Sequence, residues 1–83
     1  MLKIYGSILC GDCVECMDNL KTAGVEYEFL DFADQLVNLK EFLKLRDESP
    51  LFNSAKENGS IGIPCIVRDD GSLTLEWDEF LNE

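Results

Sequence analysis

The sequence predicts an α/β domain in which helices flank a four-stranded mixed sheet, with the elements in the order βαβ-α(α)-ββ-α. Two observations lead to this fold class. A short buried strand, a helix and an alternating strand follow one another in residues 2–32, and a βαβ unit requires parallel strands joined by a crossover. Two later apolar runs flank Asp69, Asp70 and Gly71, a combination typical of an antiparallel hairpin. A sheet that contains both units is mixed.

The βαβ unit begins at the first residues of the chain. Leu2 to Tyr5 form a segment that is too short for a helix and is stopped by Gly6, so we expect a short buried strand. Apolar residues then recur at helical spacing from Cys13 onward. This helix should end near Gly24, because glycine suits the left-handed position just past a helix end.

The second strand is predicted in "VEYEFLDF", residues 25–32, where apolar and acidic residues alternate. The apolar residues expected on one face of this strand are Val25, Tyr27 and Phe29. Because Leu30 is also apolar, next to Phe29 on the other face, the far end of the strand around Leu30 and Phe32 should be covered on both faces.

Two helices should follow. Asp34 is the predicted N-cap of the first of them, which should present an apolar stripe to the sheet. The residues that define this stripe are Leu36, Leu39, Leu43 and Arg46. In "ESPLFNSAKENG" we expect a short helix with Ser49 as its cap, Pro50 at its first position and Gly59 just past its end.

The C-terminal part should supply the hairpin and one more helical segment. "IPCIV" and "LTL" are the two predicted hairpin strands. A short helix from Asp78 to Leu81 should cover the sheet with Phe80 and Leu81, and Trp77 is expected to belong to the core.

Composition and charge limit the possible functions. Eighty-three residues, 46% of them hydrophobic, suit one globular domain spanning residues 1–83. Seven basic and seventeen acidic residues give a net charge of −10, so we expect neither nucleic acid nor a membrane as a partner. No stretch has the apolar run of a signal peptide or a membrane span, and we therefore expect a cytoplasmic protein with reduced thiols. The absence of histidine leaves thiols and carboxylates as the reactive groups.

The stretch "SILCGDCVECM" places Cys10, Cys13 and Cys16 at a spacing of three. Cys10 and Cys13 straddle the predicted strand-to-helix turn, where two Cβ atoms can approach the ~4 Å that a disulfide needs. A C-x-x-C directly after a strand in a βαβ unit predicts a redox-active dithiol and hence a thiol–disulfide oxidoreductase. Cys10 lies nearer the loop and should meet the unpaired N–H groups of the helix start, so it is the predicted nucleophile, and Cys13 is the resolving thiol.

Two other interpretations of the cysteines stay open. Cys10, Cys13 and Cys16, with Cys65 as a fourth ligand, would suit a metal or iron–sulfur binding or delivery module. Zinc sites usually draw two ligands from each of two loops, whereas here only Cys65 comes from elsewhere in the chain. We therefore favour the redox interpretation, in which none of the cysteines is a metal ligand. The other interpretation is a degenerate domain that only binds a partner. Outside the metal interpretation Cys16 and Cys65 are expected to face the core, since free cysteines are among the most buried residues.

On these residues the chain resembles the glutaredoxin branch of the thioredoxin-fold superfamily. The resemblance spans nearly the whole chain, through "KIYGS", "CGDC", "EYEFLDF" and "GIPCIV". It implies a thioredoxin-like fold of the glutaredoxin type, with Cys10 as nucleophile and Cys13 as resolving cysteine. It also implies a cis-proline at Pro64 beside the dithiol, and a main chain at Ile63 that binds the substrate.

The resemblance further implies the partners. The substrate would be a disulfide-containing protein or a small-molecule disulfide, and the electron donor a reductase or glutathione; no cofactor is firmly implied. Three features depart from the family pattern: Gly11-Asp12 between the cysteines, Ser7 where a basic residue is common, and the lack of a recognisable Gly-Gly-Asp-like segment. We therefore expect dithiol exchange with weak glutathione turnover.

Overall fold

The computed structural model describes residues 1–81, so the last two residues of the predicted domain lie outside the described part. The strands are β1 (Leu2–Gly6), β2 (Tyr27–Asp31), β3 (Cys65–Val67) and β4 (Leu73–Thr74). The α-helices are α1 (Gly11–Thr22), α2 (Leu36–Glu48) and α3 (Asn53–Glu57), with 3-10 turns at Pro50–Phe52 and Trp77–Phe80. Among these residues no helix combines the length and the apolar character that a membrane crossing requires.

The four strands form one mixed sheet in the order β2-β1-β3-β4. β1 and β2 are parallel, with Ile4 opposite Phe29. β1 and β3 are antiparallel, with Tyr5 opposite Cys65, and β3 and β4 complete an antiparallel hairpin. The predicted mixed α/β fold with a four-stranded sheet is confirmed, and the βαβ unit, the two middle helices and the hairpin follow in the predicted order. The predicted final helix over Asp78–Leu81 is instead a 3-10 turn over Trp77–Phe80.

Each face of the sheet carries its own apolar core. The first core lies on the side of α1 and is formed by Leu2, Ile4, Cys16, Leu20 and Ile66. The second core lies on the side of α2 and is formed by Tyr5, Phe42, Phe52 and Cys65. Neighbouring residues of β1 enter opposite cores because side chains alternate along a strand.

The predicted strand over residues 25–32 is observed as the shorter β2, and the segment contributes to both cores, as its sequence predicts. Tyr27 and Phe29 of β2 pack against the first core, together with Val25 before the strand. Leu30 of β2 and Phe32 just after it pack against the second. The far end of this strand is therefore covered on both faces.

The start of α2 differs from the prediction. Its N-cap is Gln35, which makes no side-chain cap hydrogen bond, so the assignment of Asp34 as the cap is wrong. The carbonyl oxygen of Asp31 accepts hydrogen bonds from the N–H groups of Asp34 and Gln35, each 3.3 Å long, and from Asn38 Nδ2 at 3.0 Å. The end of β2, rather than a capping side chain, anchors the entry to this helix.

The predicted apolar stripe of α2 is also partly wrong. Leu36 and Leu43 are 69% and 43% exposed, whereas Phe42 is fully buried. Phe42 packs against the rings of Phe32 and Phe52, with centroid distances of 5.2 and 5.6 Å. An aromatic ring buries more apolar area than a leucine, so the cluster around Phe42 decides which face of the helix is turned inward.

The other local signals correspond to the structure. Gly24, with φ of 76°, follows the end of α1. Ser49 Oγ accepts a hydrogen bond from the Leu51 N–H at 3.2 Å, and Pro50 begins the 3-10 turn that leads into α3. Trp77 packs against the first core together with Phe80 and Leu81.

Candidate active site

Cys10 and Cys13 lie where β1 passes into α1. A turn separates the two elements, and it is closed by hydrogen bonds from the Cys10 N–H to the Ser7 carbonyl and from the Leu9 N–H to Ser7 Oγ, both 3.1 Å long. Cys10 is the N-cap residue and the helix begins at Gly11, which places Cys13 in the first helical turn. The predicted position of the C-x-x-C between strand and helix is confirmed.

The two thiols are neighbours and differ in exposure. Cys10 is half-buried, whereas Cys13 is 0% exposed. Burial raises the pKa of Cys13 to about 12, with the neighbouring Cys10 thiol adding to the increase and the Ser7 backbone opposing it. Cys13 is therefore a protonated thiol at neutral pH, beside an accessible sulfur.

The hydrogen bonding at the helix start differs from the prediction. Cys10 makes no side-chain cap hydrogen bond, so its sulfur does not receive the N–H groups of the first turn. The Ser7 backbone, in the turn before the helix, instead lowers the pKa of Cys13 and so opposes the effect of burial. Cys10 lines a surface groove.

Gly6 permits the close approach of β1 and α1 at the dithiol. A Cβ atom at this position would lie 2.6 Å from Cys13 Sγ and 3.4 Å from Phe29 Cε1. Any larger residue would have to displace the buried sulfur. The sequence indicates only that Gly6 ends a strand, since no local pattern relates it to a side chain seven positions later.

Cys16 and Cys65 belong to opposite faces of the sheet. Cys16 is fully buried in the first core and Cys65 in the second, and burial raises the pKa of each thiol to about 12. The prediction that both are core residues is confirmed. The sheet separates Cys65 from the cysteines of α1, and residues 1–81 contain no group of three or more His, Cys, Asp or Glu side chains placed to hold a metal ion.

A groove of about 760 Å³ opens beside Cys10. Ile63 lines it on the opposite side, together with the preceding loop residues 59–62. The Ile63–Pro64 bond is cis, as the resemblance implies, and Pro64 itself is buried. Pro64 directly precedes Cys65, which pairs with Tyr5 of β1. Ile63 is thus brought to the groove beside Cys10, whereas Pro64 does not line it, and the role of both residues in substrate binding stays a prediction.

Sequence reasoning missed two features of this groove. Leu9 and Ile61 line it with exposed apolar side chains. Arg46 donates hydrogen bonds from Nη2 to the Ser60 carbonyl (2.7 Å) and from Nε to the Ile61 carbonyl (2.8 Å). The sequence offered one signal for this groove: Leu9 and Ile61 are large apolar residues inside predicted loops, where polar residues are usual.

Alkylation of the native, reduced protein at pH 7.5 should modify Cys10 alone. The thiolate is the reactive form, and the other three thiols are fully buried with pKa values raised to about 12. Iodoacetamide followed by peptide mass analysis should show one labelled cysteine, and the same treatment in denaturant should label all four cysteines. Comparable native labelling of Cys16 or Cys65 would contradict the burial described above.

The fold and the site together define a small mixed α/β protein with a vicinal dithiol at the start of its first helix. The chain is 36% identical over 67 residues to an uncharacterized protein of Haemophilus influenzae, a match that covers 81% of this chain and 78% of the relative. The chain belongs to the same family as that protein. No family model matches the sequence, and no solved structure matches it.

Proposed function

We propose that this protein is a thiol–disulfide oxidoreductase with a thioredoxin-like fold of the glutaredoxin type. The observation that carries the proposal is the pair of neighbouring thiols, a half-buried Cys10 and a fully buried Cys13. One sulfur can be reached by a substrate, and the second lies beside the first. This is the arrangement that a nucleophile and a resolving thiol require.

Three features of the fold support the thioredoxin-like assignment. The chain builds a βαβ unit followed by a β-hairpin in one mixed sheet. The dithiol lies between the first strand and the first helix. Pro64 follows a cis peptide bond, and Ile63 shares the groove with Cys10.

The reaction transfers two electrons from the protein dithiol to a disulfide. The Cys10 thiolate attacks one sulfur of the substrate, so that a Cys10–substrate disulfide forms and the substrate S–S bond breaks, with release of one thiolate. Cys13 then attacks Cys10 Sγ, which breaks the mixed disulfide, and the Cys13 proton passes to the departing second substrate sulfur, which leaves as a thiol. The first released thiolate takes up a proton according to pH, and the protein is left with a Cys10–Cys13 disulfide. A dithiol donor returns it to the reduced form.

The proximity of the two thiols favours the second step. Cys13 lies close enough to Cys10 for that thiol to affect its pKa, so the resolving thiol has only a short distance to travel. An intramolecular thiol in reach of its target acts at a very high effective concentration. The metal-module interpretation has no comparable support, because Cys16 and Cys65 lie on opposite faces of the sheet.

A redox titration tests the proposal. Air-oxidised protein should contain one disulfide, mapped by digestion to Cys10–Cys13, and this disulfide should equilibrate reversibly with dithiothreitol. With dithiothreitol as donor, the protein should also accelerate reduction of bis(2-hydroxyethyl) disulfide in proportion to its concentration, and protein alkylated at Cys10 should be inactive. A protein that pairs other cysteines, or that purifies anaerobically with one tightly held metal per chain, would contradict the assignment.

A further inference from the structure

The groove beside Cys10 has a mainly apolar lining. Its wall residues on the β2 side are Phe32 and Ala33, and on the opposite side it is lined by Ile61 and Ile63. Asp12 is the one charged residue among the described residues that line it. A groove of this composition suits a ligand with apolar side chains on both sides of its reacting sulfur.

Two apolar side chains on the rim are exposed. Leu9, directly before Cys10, is 89% exposed, and Ile61 is 56% exposed. Both line the same groove as Cys10, so they are placed to contact whatever flanks a substrate sulfur. Exposed large apolar residues beside a reactive group are typical of an interaction surface.

The Ile61 side of the groove is held in place before any substrate arrives. Arg46 binds the carbonyl oxygens of Ser60 and Ile61 with two short hydrogen bonds, 2.7 and 2.8 Å long. The next residue, Gly62, has φ of 92° and packs so closely that a Cβ would lie 2.7 Å from Phe52 Cδ1. The loop is thereby fixed to α2 and to the second core, and it presents Ile61 in a preformed position.

The charge of the groove selects against anionic substrates. Its single charged lining residue is a carboxylate, and the whole chain carries a net charge of −10. Glutathione brings two carboxylates, and no cation lines the described groove to receive them. A basic residue near the substrate sulfur would instead be attracted by Asp12.

We propose that the substrate of this site is an extended polypeptide segment in which the oxidised cysteine is flanked by apolar side chains and lies close to a lysine or arginine. The apolar side chains would contact Leu9 and Ile61, and the basic residue would lie beside Asp12. This inference rests on the proposed oxidoreductase function, since it specifies which disulfides the dithiol attacks.

Four small disulfides distinguish the substrate classes. Three are synthetic peptides whose single cysteine carries a 2-mercaptoethanol mixed disulfide: Lys-Leu-Cys-Leu, Glu-Leu-Cys-Leu and Lys-Ser-Cys-Ser. The fourth is glutathione disulfide, and dithiothreitol is the donor throughout. We expect the lysine–leucine peptide to have the highest kcat/KM, about tenfold above the serine peptide and further above glutathione disulfide. Asp12→Asn should narrow the difference between the lysine and glutamate peptides.

Variants of the rim test the contact directly. Leu9→Ser combined with Ile61→Ser should lower about tenfold the ratio of kcat/KM for the lysine–leucine peptide to that for bis(2-hydroxyethyl) disulfide, mainly through KM. The matched control is Leu36→Ser combined with Leu43→Ser, two exposed leucines of α2 that do not line the groove. This control should leave unchanged both the ratio of the two kcat/KM values and the KM for the lysine–leucine peptide.

The outcomes separate this inference from the function on which it rests. Glutathione disulfide or the serine peptide reduced as efficiently as the lysine–leucine peptide would overturn the substrate class, while activity on bis(2-hydroxyethyl) disulfide would retain the oxidoreductase assignment. If none of the disulfides, including bis(2-hydroxyethyl) disulfide, is reduced faster than without protein, both proposals fail.

Discussion

Cys10→Ser should abolish disulfide exchange, whereas Cys13→Ser should accumulate a stable mixed disulfide with the substrate. Cys10 is the half-buried thiol that lines the groove, so no other sulfur can take over the attack. Cys13 is fully buried, and its pKa is raised to about 12, so it cannot begin the reaction. Its removal leaves the first step intact and deletes the thiol that would complete the second.

Intact mass measurement after reaction with bis(2-hydroxyethyl) disulfide checks this expectation. Cys13→Ser should gain the mass of one mercaptoethanol group, which dithiothreitol removes, and Cys10→Ser should gain none. Cys16→Ala is the matched control, since Cys16 is a third thiol of the same helix that lies in the first core. It should turn over the substrate at a rate within a fewfold of the natural protein. An adduct on Cys10→Ser and none on Cys13→Ser would reverse the two roles.

Gly6→Ala should destabilise the protein and disturb the dithiol together. The new Cβ would lie 2.6 Å from Cys13 Sγ, a distance that requires the buried sulfur to move. Overpacking of this kind typically costs about 1–3 kcal/mol in the free energy of unfolding. A displaced Cys13 would also change its position relative to Cys10, so resolution of the mixed disulfide should slow.

Gly11→Ala is the control for this prediction, because a Cβ at Gly11 meets no atom within 4 Å. Gly11 has no positive φ and begins α1, so alanine there should leave stability unchanged or raise it by about 0.4–1 kcal/mol. Urea unfolding of reduced protein measures both effects. In a Cys13→Ala background the cost of Gly6→Ala should largely disappear, because the opposing sulfur is gone. Additive costs in that double variant would place the strain elsewhere.

Local signals were enough to predict the order of the elements. The alternation around Tyr27 and Phe29, the Ser49-Pro50 helix start and the glycine of the Asp69–Gly71 hairpin each act over a few residues, and each is found where the sequence indicates. The exposure of Cys10 and the burial of Cys13 also follow from their positions at and inside the first turn of a helix. These features depend on short-range sterics and hydrogen bonding, which the nearby residues determine.

Packing between distant segments decided the rest. The predicted stripe on α2 included Leu36 and Leu43, but Phe42 faces inward, because its ring packs against the aromatic cluster beside the sheet. The face of Cys65 depends on the register of β1 with β3, which places it in the second core, whereas Cys16 of α1 lies in the first. A one-residue shift in that register would reverse the face, so spacing in the sequence cannot predict it.

The site itself shows the same division. The sequence by itself determined that a C-x-x-C would lie between a strand and a helix, since both elements and the turn are local. Only the tertiary structure brought Ile61 and Ile63 to Cys10 and Arg46 to the loop that carries them. These contacts join residues that are 14 or more positions apart, and their geometry is set by how α2 and the sheet pack, which no local pattern encodes.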